Sequence, residues 1–232
     1  ESGRLSVSYE RHYVAPDAAD LQREAKVLDL LKDRFSEWQE KGYIPSAKIP
    51  EGDKTEEPKR TRGWTRWHHL FTPRQLLTHG NLAGKICNYE ARETYLALVL
   101  GVWKMANWNS RLSKWTANPS NEGGLDVFSN QALNTLYNFS SRALKKVKSA
   151  WGYRLYNFPV SKNEFHKITT RDASKISYES DIWVTDPPYA DAINYHELAD
   201  FFLSWKHNQL NNFFPSYHTN SKAALAVKGK GQ

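Results

Sequence analysis

The residues best suited to chemistry in this chain form the tetrapeptide Asp186-Pro187-Pro188-Tyr189. They follow an apolar run at residues 181–185 that predicts a buried β-strand. Two consecutive prolines remove two backbone donors and fix φ, so the strand must end at Asp186. Its end would then present a carboxylate, free carbonyls and an aromatic ring on a stiff turn. A carboxylate and a carbonyl can both accept hydrogen bonds from one exocyclic amino group while a tyrosine stacks on the ring, which suits a flipped-out adenine.

A structural interpretation of the same four residues stays open on the tetrapeptide alone. A Pro-Pro turn can simply end a strand, with Asp186 capping the helix that follows. His68-His69 offers no clearer chemistry, because the chain has one cysteine, Cys87, and no carboxylate stands at metal-ligand spacing from the two histidines. We therefore expect no metal site.

Composition narrows the class of protein. With 232 residues, 40% of them hydrophobic and 13% aromatic, the chain can bury a substantial core and is not disordered throughout. No apolar run is long enough to cross a membrane. The net charge of +7 favours a polyanionic partner, without separating DNA from RNA or an acidic protein. A single cysteine excludes an internal disulfide framework and a cysteine-based zinc ribbon, and it favours a cytoplasmic location.

Local patterns predict helices around a few strands. Apolar spacing predicts an amphipathic helix from Asp17 to Lys41, ended by Gly42, and residues 43–62 are expected to form a long exposed loop. Thr72 and Pro73 predict a helix start, with a break near Gly80 or Gly84 and helix continuing to residue 108. The other expected elements are strands at residues 5–9 and 165–170, a helix that begins near Asn130 and carries Leu133, Leu136, Tyr137 and Leu144, and a helix from Asn194, with Glu197 as its capping partner, to Leu210.

A resemblance to a known family rests on stretches spread over most of the chain. They are residues 62–77, which include Trp64-Thr65-Arg66-Trp67-His68-His69-Leu70-Phe71-Thr72-Pro73, Asn109-Ser110-Arg111-Leu112-Ser113-Lys114-Trp115, Phe128-Ser129-Asn130-Gln131-Ala132, Asp186-Pro187-Pro188-Tyr189 and residues 197–202. The chain resembles the amino-methyltransferases of DNA, whose catalytic motif is Asp/Asn/Ser-Pro-Pro-Tyr/Phe/Trp at a strand end. It is most similar to the large adenine-specific DNA methylases described as containing a zinc ribbon.

The resemblance implies a fold and a reaction. It implies an α/β fold, part of a Rossmann-like class I methyltransferase sheet with flanking and inserted helices. Residues 1–62 would hold the N-terminal strand, helix and loop, and residues 63–232 the catalytic portion. The reaction would be S-adenosylmethionine-dependent methylation of adenine N6 in DNA, with the Asp186 carboxylate and Pro187 carbonyl holding the amino group and Tyr189 stacking on the base. Restriction-modification or phage defence is the setting that this implies.

The resemblance also implies the cofactor contacts. Phe71, Thr72 and Pro73 would contact the methionine end of S-adenosylmethionine, and Asp172 would receive its adenine amino group. From the residues alone, 71–73 is equally an N-capped helix start and Asp172 a turn former. The glycine-rich cofactor loop is not visible, and in the family it precedes the part seen here. We therefore expect a truncated chain that needs a missing N-terminal portion or a partner chain to complete the cofactor site.

A basic and aromatic stretch just before Phe71 predicts the DNA contact. Arg60, Arg62 and Arg66 would position phosphates, and Trp64 would fill space left by an extruded base. A solvated charge run beside core tryptophans explains the same pattern. Three other possibilities stay open: an N4-cytosine substrate, an RNA base-amine substrate, and a catalytically incomplete DNA-binding fragment or subunit.

Overall fold

The computed structural model describes residues 14–116, 123–124, 126–129, 132–133, 147–152, 176–186, 195–205 and 210. This part of the chain is mainly helical. The helices are α1 (Ala18–Lys32), α2 (Phe35–Glu40), α3 (Glu56–Arg62), α4 (Pro73–Ile86), α5 (Arg92–Trp108), α6 (Val147–Ala150) and α7 (Tyr195–Leu203), with a 3-10 turn at Trp67–Leu70. The strands are β1 (Trp115–Thr116), β2 (Gly123–Gly124), β3 (Phe128–Ser129) and β4 (Ala132–Leu133).

The predicted α/β fold with a Rossmann-like sheet is wrong for the described residues. Their β-structure consists of two antiparallel pairs, β1 with β2 and β3 with β4, and one bridge between Lys48 and Arg66. Residues 181–185 form no strand, and Ile182 and Val184 are 78% and 91% exposed. A strand takes its backbone hydrogen bonds from a neighbour, so an apolar run alone does not specify one. The strands expected at 5–9 and 165–170 lie outside the described residues. The helix expected from Asn130 is wrong at Ala132 and Leu133, which pair with β3 as strand β4, and its other residues lie outside the described part.

The first helix begins as predicted but is interrupted. Asp17 and Asp20 form a reciprocal capping box, in which each carboxylate accepts the other residue's backbone N–H. Val27 and Leu31 bury the inner face of α1. A turn at residues 33–34 separates α1 from α2, so the single helix expected to Lys41 is two helices. Gly42 then ends α2 with φ of 66°, as its type predicted.

Residues 43–62 are not the exposed loop that the prolines suggested. Ile44 and Ile49 are buried at 1% and 5% exposure, and α3 occupies the end of the segment. Pro58 sits in the first turn of α3, where the missing N–H would have had no intrahelical partner, so it does not disrupt the helix. Gly63 closes α3 in the left-handed conformation, with φ of 66°.

The helix start at Thr72 and Pro73 is confirmed. Thr72 and Gln75 form a capping box, and Pro73 occupies the first helical position. The break expected at Gly80 or Gly84 is wrong, because both glycines lie inside α4. A Cβ on Gly80 would lie 2.3 Å from the Trp38 ring, so this glycine permits close packing between α2 and α4. None of the described helices is long and apolar enough to cross a membrane.

An aromatic core holds α4 against the segment that contains α7. The Phe71 ring is stacked on Phe201 at 6.1 Å and meets Trp205 edge-on at 5.1 Å, and His79 lies 5.4 Å from Phe71 and 5.5 Å from Trp205. All four side chains are 2% exposed or less. Such ring pairs add about 0.5–1.5 kcal/mol each beyond the burial of their area.

A chain of buried hydrogen bonds runs beside this aromatic core. Gln75 Oε1 accepts the Thr72 N–H at 2.8 Å, and Gln75 Nε2 donates to Asn109 Oδ1 at 3.3 Å. Asn109 Nδ2 then donates to His79 Nε2 at 3.0 Å. An amide nitrogen can only donate, so His79 Nε2 accepts and the neutral ring carries its proton on Nδ1. Burial lowers the pKa of His79 to about 3, which keeps the ring neutral.

His79 predicts a loss of stability in acid. Its pKa is about 6.5 in the unfolded chain and about 3 in the folded one, so the unfolded state binds the proton first as pH falls. The stabilisation is complete above about pH 6.5 and declines towards pH 3. Between pH 7 and pH 5 we expect the free energy of unfolding to fall by about 2 kcal/mol from this residue. Urea unfolding of wild type and His79→Gln at both pH values measures this difference. An unchanged pH dependence in His79→Gln contradicts the assignment.

Candidate ligand cleft at the start of helix α4

A cleft of about 310 Å³ opens where α3 ends and α4 begins. This volume lies at the lower end of the range for small-molecule sites. Its lining comprises the aromatic, histidine and apolar residues around the helix start together with one arginine: Gly63, Trp64, His68, His69, Phe71, Pro73, Leu76 and Arg111. None of these described lining residues carries a carboxylate.

Two arginines stack on Trp64 at the cleft. The guanidinium carbon of Arg62 lies 5.4 Å from the Trp64 ring centroid, and that of Arg111 lies 5.5 Å from it. All three side chains are half-buried. A cation over an indole face contributes about 0.5–1 kcal/mol at exposed sites and more when it is desolvated. The arrangement therefore concentrates positive charge at one aromatic ring.

The four residues predicted to contact DNA do not lie together. Arg62 and Trp64 meet at the cleft, whereas Arg66 uses its guanidinium to donate to the Ser46 carbonyl at 2.6 Å. Arg60 is exposed in the last turn of α3. The described geometry thus divides the set into a cleft pair, a residue that braces the neighbouring loop, and one free surface charge.

Two of the three described residues predicted to contact the cofactor line the cleft. Pro73 and Phe71 lie in its wall, but the Phe71 ring is 2% exposed and is used by the core. Thr72 Oγ1 accepts the Gln75 N–H at 3.2 Å, as a helix cap does. The helix-start interpretation of 71–73 therefore describes their contacts, and a cofactor could meet this element only along the outer side of Phe71 and Pro73. Asp172 lies outside the described residues.

The predicted catalytic motif is described only at its first residue. Asp186 is exposed and belongs to an irregular segment, while Pro187, Pro188 and Tyr189 lie outside the described residues. Just before it, the Tyr178 and Trp183 rings stack at 5.8 Å with an interplanar angle of 15°. The carboxylate is accessible for contact with a base.

A tightly bonded turn at residues 109–113 supplies Arg111 to the cleft. Ser113 Oγ accepts the Ser110 N–H at 2.8 Å and donates to the Asn107 carbonyl at 2.9 Å, while Ser110 Oγ accepts the Leu112 N–H. The Arg111 N–H donates to the Leu70 carbonyl at 2.8 Å. Sequence reasoning quoted this stretch for its resemblance but assigned Arg111 no role. The feature that could have indicated a role for Arg111 is that it is a charged residue flanked by residues that are all buried in the fold.

The two histidines of the cleft are held in defined orientations. His69 Nδ1 accepts the Thr65 N–H at 3.2 Å and the Arg66 N–H at 3.4 Å, so its own proton resides on Nε2. Burial, followed by the charges of Arg66 and Arg111, lowers the pKa of His69. Burial also lowers the pKa of His68 to about 4. Both rings are therefore neutral at pH 7. No group of three potential metal ligands occurs in the described part of the chain.

Glu197 ties the segment after the motif to the helix that precedes the cleft. Its carboxylate is 6% exposed, and Oε2 accepts the N–H groups of Lys54 at 2.9 Å and Thr55 at 2.8 Å. These donors stand at the N-terminus of α3, where Thr55 itself makes no side-chain cap. A carboxylate at this position satisfies unpaired donors and suits the helix dipole. The local pattern with Asn194 did not predict this long-range contact.

Glu197 and Gly52 are expected to behave as a coupled pair. A Cβ on Gly52 would lie 2.5 Å from Glu197 Cδ, so Gly52→Ala must displace the carboxylate from its donors. We expect Glu197→Ala to lower the free energy of unfolding by about 2–3 kcal/mol, because two enclosed N–H groups lose their acceptor. Gly52→Ala should cost much less in the Glu197→Ala background than in wild type. Urea unfolding of the two single variants and the double variant measures the coupling. Exposed Glu90→Ala is the control, and additive effects would contradict the contact.

Comparison with family models, with curated proteins and with solved structures found no match in any of the three.

Proposed function

We propose that the chain is part of an S-adenosylmethionine-dependent DNA methyltransferase that acts on adenine N6. One observation supports this most. Trp64, predicted from charge and aromatic pattern to contact DNA, lines the same cleft as Phe71 and Pro73, predicted from the family resemblance to contact the cofactor, and Arg62 lies over the Trp64 ring. The DNA-contact and cofactor-contact predictions concern different residues and have different grounds, and residues of both sets line one cleft.

The chemistry of the proposed reaction requires little from the protein beyond placement. S-adenosylmethionine, when bound, supplies an electrophilic methyl group. The adenine amine is a weak nucleophile because its lone pair is delocalised into the ring. Asp186 would accept a hydrogen bond from one of its N–H groups and stabilise the positive charge that develops on nitrogen, which is catalysis by orientation and electrostatics. The exposure of Asp186 is compatible with an extruded base reaching it.

The cleft suits the anionic parts of such a reaction. Two of its described polar groups, the Arg111 guanidinium and the His69 Nε2–H, can only donate hydrogen bonds. S-adenosylmethionine ends in a carboxylate, and DNA carries phosphates. The chemistry of the lining therefore fits either ligand, while the remaining cofactor contacts would come from a further portion of the protein or from a partner chain. A cytoplasmic setting, where both DNA and donor occur, is part of this proposal.

A catalytically incomplete DNA-binding subunit is the second candidate. The observation that favours it is the helical character of the described residues, whose strand pairs are all antiparallel and two residues long. Arg60, Arg62 and Trp64 would serve this function equally. The two candidates differ in whether the chain transfers a methyl group by itself.

Asp186→Ala is expected to abolish methyl transfer and to leave DNA affinity within about twofold of wild type, because the carboxylate acts on the reacting amine. The assay measures transfer from labelled S-adenosylmethionine to DNA and to RNA, with affinity measured in parallel. Asp181→Ala, which removes another exposed carboxylate five positions earlier, is the matched control. Transfer to RNA alone would redirect the proposal. Absence of transfer by wild type, with DNA binding intact, would favour the second candidate.

Arg60→Ala should weaken DNA binding uniformly across sequences. Removing one phosphate contact reduces the slope of log K against log salt concentration by about 0.9. Fluorescence anisotropy with two unrelated duplexes at several salt concentrations measures that slope. Lys85→Ala removes an exposed cation at the opposite end of α4 and serves as the control. Equal effects of the two variants would show only a dependence on net charge.

A further inference from the structure

Arg111 is positioned more firmly than a surface arginine. Its neighbours Asn109, Ser110, Leu112 and Ser113 are all 1% exposed or less. Its own backbone N–H is bonded to Leu70. Arg111 is therefore the one side chain of this turn that is available to the cleft. Its backbone is held in place by the hydrogen bonds of the residues before and after it. Such support is what keeps a binding group in one geometry.

The guanidinium of Arg111 lacks the partners that a half-buried charge normally has. Nε is enclosed and makes no hydrogen bond within the described part of the chain. Among the described residues, no carboxylate lies within ion-pair distance of it. Its described contact is the Trp64 ring. Enclosing a donor without an acceptor costs about 1–3 kcal/mol, more for a charged group, so an acceptor in the cleft would relieve a strain that the fold maintains.

The other groups around Arg111 favour the same kind of ligand. Among the described residues of the lining there is no acid that could repel an anion, and His69 directs its accepting Nδ1 towards the backbone of Thr65 and Arg66. His68 Nδ1 lies 3.1 Å from the Pro45 carbonyl, which can only accept, so this ring donates its Nδ1 proton to the backbone. Trp64, Phe71, Pro73 and Leu76 supply an apolar surface beside the charge. This combination suits a ligand with an oxyanion at one end and an apolar or aromatic body.

We propose that Arg111 is the oxyanion-binding residue of the cleft. The planar guanidinium can offer two parallel N–H groups to a carboxylate or a phosphate. Either group has the required chemistry, the carboxylate coming from an amino-acid cofactor and the phosphate from a nucleic acid strand. The choice of these two sources rests on the proposed function, but the oxyanion site itself rests on the geometry of Arg111.

The test compares Arg111→Met with Arg111→Lys and with Lys114→Met, an exposed cation on the same turn. Arg111→Lys keeps the charge without the two-pronged donor geometry. The probes are S-adenosylhomocysteine, 5′-methylthioadenosine, which lacks the amino-acid carboxylate, inorganic pyrophosphate, and a 12-base-pair DNA duplex. Calorimetry and anisotropy give the affinities, and thermal unfolding verifies that each variant is folded.

A carboxylate ligand predicts that Arg111→Met weakens S-adenosylhomocysteine at least tenfold, with 5′-methylthioadenosine and the DNA salt slope unchanged. A phosphate ligand predicts that the salt slope falls by about 0.9 and that pyrophosphate binding is lost. In both cases Arg111→Lys retains part of the affinity and Lys114→Met retains all of it. Equal affinities of wild type and Arg111→Met for every probe, or no binding of any probe to wild type, overturn the proposal. Arg111-dependent binding without methyl transfer supports the site and contradicts the proposed enzyme.

Discussion

The buried hydrogen-bond chain from Thr72 through Gln75 and Asn109 to His79 is the constraint on which the described structure depends. It joins the start of α4 to the end of α5, and each link satisfies a group that would otherwise be enclosed without a partner. This series of hydrogen bonds excludes alternative packings of α4, because shifting the helix by one residue would leave several buried polar groups without hydrogen-bond partners. These hydrogen bonds also fix both walls of the cleft. Phe71 directly precedes Thr72, where the bonded series begins, and Arg111 stands two residues after Asn109.

Charge and aromatic rings around the cleft act together with this scaffold. Trp64 contacts two guanidiniums, and the same short segment continues into the histidines and into Phe71. The segment is anchored from outside by Glu197, which caps the helix before it. A part of the chain far away in sequence thus determines where the basic residues stand.

Prediction from local sequence patterns succeeded where the residues of a single turn determine the structure by themselves. Thr72 with Gln75 and Pro73 specifies a helix start, and Gly42 specifies a helix end, without help from distant residues. These patterns failed where contacts with residues distant in sequence determine the structure. Gly80 resembles a helix breaker, yet the nearby Trp38 ring explains it as a close approach between helices. The apolar run at 181–185 resembles a buried strand, but a five-residue pattern does not indicate whether a neighbouring strand is present to pair with it.

The candidate site shows the same division. Trp64 and Phe71 were recognisable because aromatic residues beside arginines, or before a capped helix, are informative in sequence. Arg111 was not, because its significance comes from the burial of its neighbours and from a cleft whose described lining carries no acid, both properties of the folded chain. Glu197 was assigned a local role because its donors lie some 140 positions earlier.

The exposed run from Ile182 to Val184 has a consequence for the solubility of the protein. Short segments of β-branched and aromatic residues without charge are the ones that stack between molecules into aggregates. Here an aspartate stands at each end, at positions 181 and 186, and like charges oppose the stacking of identical copies. The carboxylate nearest the proposed chemistry therefore also opposes the association of identical copies of the protein.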